Sequence, residues 1–144
     1  MKKIIIVSLL LFTATTSLAK MVSVIHLPAE LRDKPMVSGS KMIQKLERYA
    51  PLEVIESGSD YYKVKTRSGK VGYLHRSLTG DIKSVVVTGD ICNVRTGPGT
   101  EFPIVFKAYK GNSFKVLSQE QDWVEIQGPD NKTGWIWQNL VWGE

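Results

Sequence analysis

Asp122-Trp123-Val124-Glu125-Ile126 and Thr133-Gly134-Trp135-Ile136-Trp137 stand 62 positions after Asp60-Tyr61-Tyr62-Lys63-Val64 and Val71-Gly72-Tyr73-Leu74-His75. The register holds without a gap from Ile43–Leu78 to Val105–Leu140. Lys45, Val54, Asp60, Lys70, Gly72 and Leu78 recur there as Lys107, Val116, Asp122, Lys132, Gly134 and Leu140. The identities count for less than the agreement of aromatic, glycine and apolar positions. Upstream the offset becomes 63, so Arg32-x-x-Pro35 falls on Arg95-x-x-Pro98, and Val22 and Val24 fall on Val85 and Val87. One inserted loop residue explains the slip. Self-similarity at a fixed spacing marks a repeated structural unit. Each unit has about 60 residues, near the lower limit for a domain that folds alone.

The polar stretch Thr79–Ser84, which holds Gly80 and Asp81, separates the units. The expected division is 20–80 for unit one and 81–144 for unit two. So short a connector brings the units into contact. Both read as strands. Val85-Val86-Val87-Thr88 is β-branched, and Phe114/Val116 and Val124/Ile126 alternate apolar with polar. Gly128-Pro129-Asp130-Asn131, Gly97-Pro98-Gly99 and Gly111-Asn112 are breaks between strands. The one helix-like window is Ser40–Tyr49, with apolar Ile43 and Leu46. Its repeat partner Val105–Lys110 is strand-like, so both are expected as strands. Many short strands at close spacing imply an all-β protein made of two small barrels.

In front of the repeats, residues 1–19 read as a secretory leader. Lys2 and Lys3 form the charged start, Ile4–Phe12 the apolar run, and Ser17-Leu18-Ala19 the cleavage site before Lys20. The run is shorter than the roughly 20 residues a membrane-spanning helix needs. No later segment is apolar and long enough to cross a bilayer. Cleavage after Ala19 implies a secreted or periplasmic protein with no transmembrane segment.

With 23% charged and 42% hydrophobic residues, the 144-residue chain is neither a disordered tail nor a membrane bundle. One cysteine, Cys92, excludes an internal disulfide and a four-cysteine zinc site. Two histidines, His26 and His75, leave little material for metal or acid–base chemistry. No catalytic centre, metal or cofactor is expected.

Cys92-Asn93-Val94-Arg95-Thr96-Gly97-Pro98-Gly99-Thr100 resembles the opening motif of bacterial Src-homology-3-like (SH3b) domains, an apolar residue before N-V-R-x-G-P. The later elements Asp122–Ile126, Thr133–Ile136 and Leu140 match in order and spacing, so the resemblance covers Val85 to Val141. Unit one keeps Arg32-x-x-Pro35, Asp60–Val64 and Gly72-Tyr73-Leu74. It lacks N-V and the two glycines around the proline. The resemblance implies two tandem SH3-like barrels. It also implies a non-catalytic binding module of the bacterial envelope, taking cell-wall peptide or glycan or an envelope protein.

Asn93, Arg95, Gly97 and Pro98 are explained by structure: asparagine can bond nearby backbone, and the Gly-Pro-Gly run shapes a loop. Gly97-x-Gly99 lacks the lysine, the spacing and the helix of a phosphate loop. Cys92 takes an apolar position and has no activating partner nearby in sequence, so it reads as a small buried hydrophobe. Trp123, Trp135, Trp137 and Trp142 all fall in unit two. Strand alternation sends Val124, Ile126 and Ile136 inward and Trp123, Trp135 and Trp137 outward. Gly134-Trp135-Ile136-Trp137-Gln138-Asn139 also resembles the G-Y-I-P-S-N stretch of eukaryotic Src-homology-3 domains, whose aromatic rings border a peptide groove. The candidate ligand residues are therefore Trp123, Trp135, Trp137 and Asn139, with Tyr61, Tyr73 and His75 in the matching places of unit one. The other use for these rings is the contact between units.

Charge divides unevenly. Residues 20–80 carry eleven Lys/Arg against six Asp/Glu, a net of +5, while 81–144 carry six against eight, a net of −2. A basic unit attracts anionic envelope polymers or the acidic neighbour. Basic and aromatic barrels also bind nucleic acid, but the export signal argues against that partner. A protein–protein scaffold in the periplasm is the alternative to wall binding.

Overall fold

The computed structural model describes residues 19–143. The expected leader, up to residue 18, lies outside them. Strands β1 (Met21–Val24), β2 (Ala29–Arg32), β3 (Met42–Leu46), β4 (Pro51–Ser57), β5 (Tyr61–Lys65), β6 (Val71–His75) and β7 (Thr79–Gly80) form one sheet. Strands β8 (Ser84–Val87), β9 (Ile91–Arg95), β10 (Ile104–Tyr109), β11 (Ser113–Glu120), β12 (Trp123–Gln127), β13 (Thr133–Trp137) and β14 (Val141–Gly143) form the other. The strand orders are β3-β2-β6-β5-β4-β1-β7 and β10-β9-β13-β12-β11-β8-β14, the same order twice. All pairings are antiparallel. A 3₁₀ turn follows β6 at Arg76–Leu78 and another follows β13 at Gln138–Leu140. The all-β expectation holds, and the two seven-stranded sheets are consistent with two SH3-like domains.

The local reason is period-2 alternation. In β12, Val124 and Ile126 are buried while Trp123, Glu125 and Gln127 are only half-buried. In β5, Tyr62 and Val64 do the same. Each unit closes its own core. Val22, Val24, Leu31, Leu52, Val64 and Leu74 fill the first. Val85, Val87, Val94, Phe114, Ile126 and Ile136 anchor the second. Fully burying one such side chain is worth about 1.5–3 kcal/mol. The helix-like window Ser40–Tyr49 holds β3, because Leu46 turns into the core and β2 supplies a ladder partner.

Even the irregularities repeat. The β4–β5 ladder slips between Val54 and Glu56, and the β11–β12 ladder slips between Val116 and Ser118. A bulge bends and twists a strand, which curves β4 and β11 around their cores. Gly72 and Gly134 explain how β6 and β13 cross β2 and β9 closely. A Cβ on Gly72 would lie 2.7 Å from both Arg32 O and Leu31 Cγ. A Cβ on Gly134 would lie 2.5 Å from Val94 Cγ1 and 3.0 Å from Arg95 O.

Asp81–Lys83 alone joins β7 to β8, and the units touch. Ser84 Oγ donates to Ser23 Oγ at 2.5 Å, and Ser23 Oγ donates to the Ile82 carbonyl. A Cβ on Gly143 would meet Pro51 Cβ at 2.9 Å. The Arg67 guanidinium lies 5.9 Å from the Trp142 ring centre.

Candidate functional site

Trp123 and Trp137 are cross-strand partners in the β12–β13 ladder, with Val124 and Ile136 paired beside them. The inward pair seals the core, so the outward pair sets two indoles side by side on the surface. Trp137 is 44% exposed. The two rings border a cleft of about 460 Å³, which Asn93, Arg95, Thr100, Ile91 and Asp122 also line. Strand β9 supplies one wall. Cys92 and Val94 face the core there, so Ile91 and Asn93 face out.

The loop Thr96–Pro103 forms the rim and is held from within. Arg95 Nη1 donates to Thr100 O at 2.9 Å and to Phe102 O at 3.0 Å. Arg32 does the same service in unit one, donating from Nε to Ser40 Oγ at 2.6 Å and from Nη2 to Ser40 O at 2.9 Å. A Cβ on Gly97 would lie 2.6 Å from the Phe102 ring, so the loop packs only around glycine there. These contacts agree with structural roles for Arg95 and Gly97. Asn93 differs from its expectation. It is exposed and its side chain has no hydrogen bond among the described residues, because the alternation of β9 turns it away from the backbone of the loop.

Trp135 and Asn139 do not line this cleft. Trp135 faces outward with Trp137, but two residues further along the ladder, where it pairs with Glu125 and Arg95. Asn139 is exposed in the 3₁₀ turn after β13. Its neighbour Gln138 takes the inner place, donating from Nε2 to Asp122 Oδ1 at 3.2 Å and from its backbone to Asp122 O at 2.8 Å. Trp142 belongs elsewhere, beside Arg67 at the junction of the units.

In unit one, Tyr61 and Tyr73 line a smaller cleft of about 300 Å³ with Asp60, Lys63 and Glu56. His75 stands across from Tyr61, edge to face, with ring centres 5.0 Å apart. Its Nδ1 accepts from the Ser77 backbone N–H at 3.2 Å, which caps the following turn. That bond leaves Nδ1 engaged with its own chain.

Cys92 is buried, 2% exposed. Burial pushes its thiol up from the ordinary range, the Asp90 carboxylate adds to this, and a hydrogen bond with the Gly89 backbone opposes it. A thiol held protonated is a poor nucleophile. Among the described residues no three His, Cys, Asp or Glu side chains gather as a metal site. No described helix is long and apolar enough to cross a membrane.

The cleft residues that sequence reasoning did not name as candidates are Ile91, Asn93, Arg95, Thr100 and Asp122. Alternation along β9 was the available signal, since Cys92 and Val94 inside imply Ile91 and Asn93 outside.

The chain is 35% identical over 60 residues to "Putative N-acetylmuramoyl-L-alanine amidase YrvJ" of Bacillus subtilis, covering 42% of this chain and 12% of that one. It is 31% identical over 64 residues to "Probable cell wall amidase LytH" of Staphylococcus aureus, covering 44% and 22%. The chain thus spans less than a quarter of the length of these curated relatives. The solved structure of NlpC2 from Trichomonas vaginalis aligns over 90% of this chain and 50% of its own, with 7% identity and a TM-score of 0.40. The bacterial SH3 domain family matches residues 88–141, the stretch that carries β9 to β13 and the paired indoles, and this part of the chain is one bacterial SH3 domain.

Proposed function

We propose that the chain is an exported, non-catalytic binding module of the bacterial cell envelope. Its leader is cleaved after Ala19, and two tandem SH3b-like units, 20–80 and 81–144, follow. Unit two holds cell-wall peptide or glycan in the cleft between Trp123 and Trp137. The observation that carries this reading is the cross-strand indole pair bordering an open cleft with Asn93 and Arg95 in its lining. An indole offers a broad apolar face and one N–H donor, which suits sugar rings and peptide planes. The cell-wall amidases named above support the ligand class and a location outside the cytoplasm. This chain corresponds to their binding part.

The reading is tested by sedimentation of the purified chain with isolated wall sacculi. Trp137→Ala and Trp123→Ala each weaken binding by about 2 kcal/mol, about thirtyfold, while thermal melts stay close to the parent. Normal binding by both variants overturns the cleft.

A second reading has one specific observation behind it. Ile91 is 64% exposed beside Trp137 at 44%, an apolar surface that also fits a protein partner in the periplasm. Retention by periplasmic extract with no retention by sacculi decides for it.

A further inference from the structure

A second cleft, of about 560 Å³, opens between the two units, away from the paired indoles. Part of its lining differs between the two repeats. Unit two fills the matching place with Phe106 and Phe114, whose ring centres lie 6.1 Å apart. Unit one has Gln44 and Leu52 at those positions, 62 residues earlier. The hollow beside Phe106 and Phe114, which Glu47 also lines, holds about 370 Å³. Strand β8 and Lys110 of unit two wall the cleft between the units.

Two features of the lining name a ligand chemistry. Lys45, Arg67 and Lys110 bring three cations, against the single carboxylate of Glu47. None of the three is in an ion pair among the described residues. Arg67 is exposed and steadied over Trp142, and its planar fork matches a carboxylate. The second feature is Gln44 Oε1, buried without a hydrogen-bond partner among the described residues. A buried acceptor left unpaired is costly, so Gln44 is a less settled filling for this place than the phenylalanine of unit two. Gln44 and Lys45 also sit on β3, an edge strand with a ladder partner on one side only. Edge strands take up extended peptides through their free backbone groups. Leu46, Leu52 and Val86 give the cleft an apolar floor for small side chains.

We infer that the cleft between the units is a second binding site, which takes a short peptide through its free C-terminal carboxylate. Arg67 and Lys110 hold the carboxylate, and the free edge of β3 pairs with the peptide backbone. The site needs both units and does not use Trp123 or Trp137.

Isothermal titration of the full chain with trialanine as the free acid, trialanine amide and inorganic phosphate tests it. The free acid binds, and the amide and phosphate bind at least about tenfold more weakly. Arg67→Gln and Lys110→Gln each weaken the acid about tenfold, as expected for loss of a charged hydrogen bond. Gln44→Phe, which copies unit two, removes binding. Trp137→Ala leaves it unchanged, so failure here and failure of the wall-binding cleft are separate results. Equal binding of acid and amide, or preference for phosphate, overturns the inference. So does normal binding by Arg67→Gln, a surface change that leaves the fold intact.

Discussion

Units one and two share a ladder order and differ in the aromatic side chains they turn to water. Where unit two pairs Trp123 with Trp137, unit one sets Tyr61 edge to face with His75, 5.0 Å between ring centres. Where unit two packs Phe106 against Phe114, unit one has Gln44 and Leu52 and an open cleft. Inside, the replacements keep shape. Val94 answers Leu31, and Ile136 answers Leu74, all buried. Tyr62 takes the place of Val124 and stays 5% exposed, its hydroxyl accepting from Lys20 Nζ at 3.1 Å. A buried tyrosine needs such a partner for its polar end. The lesson is that the ladder depends on the inward row and on a few close backbone contacts, while the outward row is free to diverge.

The sharpest way to break that comparison is at the two crossing glycines. Gly72→Ala and Gly134→Ala each force a Cβ against the strand beneath. Overpacking of this kind costs about 1–3 kcal/mol. Gly72→Ala lies at the upper end, because Arg32 O is backbone and cannot turn aside, whereas Val94 can. Denaturant unfolding of both variants checks this. If one unit tolerates alanine freely, the two crossings are not equivalent.

A smaller effect is expected at the arginines that hold the loops after β2 and β9. Arg95→Ala frees the carbonyls of Thr100 and Phe102, and Arg32→Ala frees Ser40. Each loses about 1 kcal/mol of stability, the scale of a net hydrogen bond. Arg95→Ala in addition loosens the rim of the aromatic cleft, so it weakens wall binding and Arg32→Ala does not. Equal binding by both variants would uncouple the loop from the site.

The smallest effect separates Cys92 from unit one, which has no cysteine. Its thiol pKa is raised in the fold, mainly by burial. The folded state therefore holds the proton more tightly than the unfolded chain. The corresponding stability is fully present below the unfolded thiol's pKa, about 8.5, and is lost as pH rises through the folded value. Cys92→Val removes this alkaline loss, which pH-dependent melts of parent and variant will show. Thiol labelling of the native protein is slow at neutral pH and fast after denaturation.

Much of the fold was legible because strand chemistry is local. Val124, Ile126 and Ile136 had to face in once their segments were strands, and alternation alone sent Trp123 and Trp137 out. The repeat placed Ser40–Tyr49 as a strand against its own helix-like spacing, through its partner Val105–Lys110. The membership of the cleft was less legible. Trp135 and Asn139 share a motif with Trp137, yet only Trp137 reaches the cleft, and its companions Asn93 and Thr100 come from β9 and the loop beyond it.

The sequence by itself determined that the chain is two copies of one β-ladder and which side of each strand is buried, because a period of two residues and a repeat are properties of neighbours along the chain. Only the tertiary structure decided which outward side chains meet. Strand order brings β9 beside β13, and the three-residue connector brings Arg67 to Trp142 and Gln44 toward β8. Those meetings join residues far apart in the chain. They are fixed by how the ladders close and pack, and no local pattern encodes them.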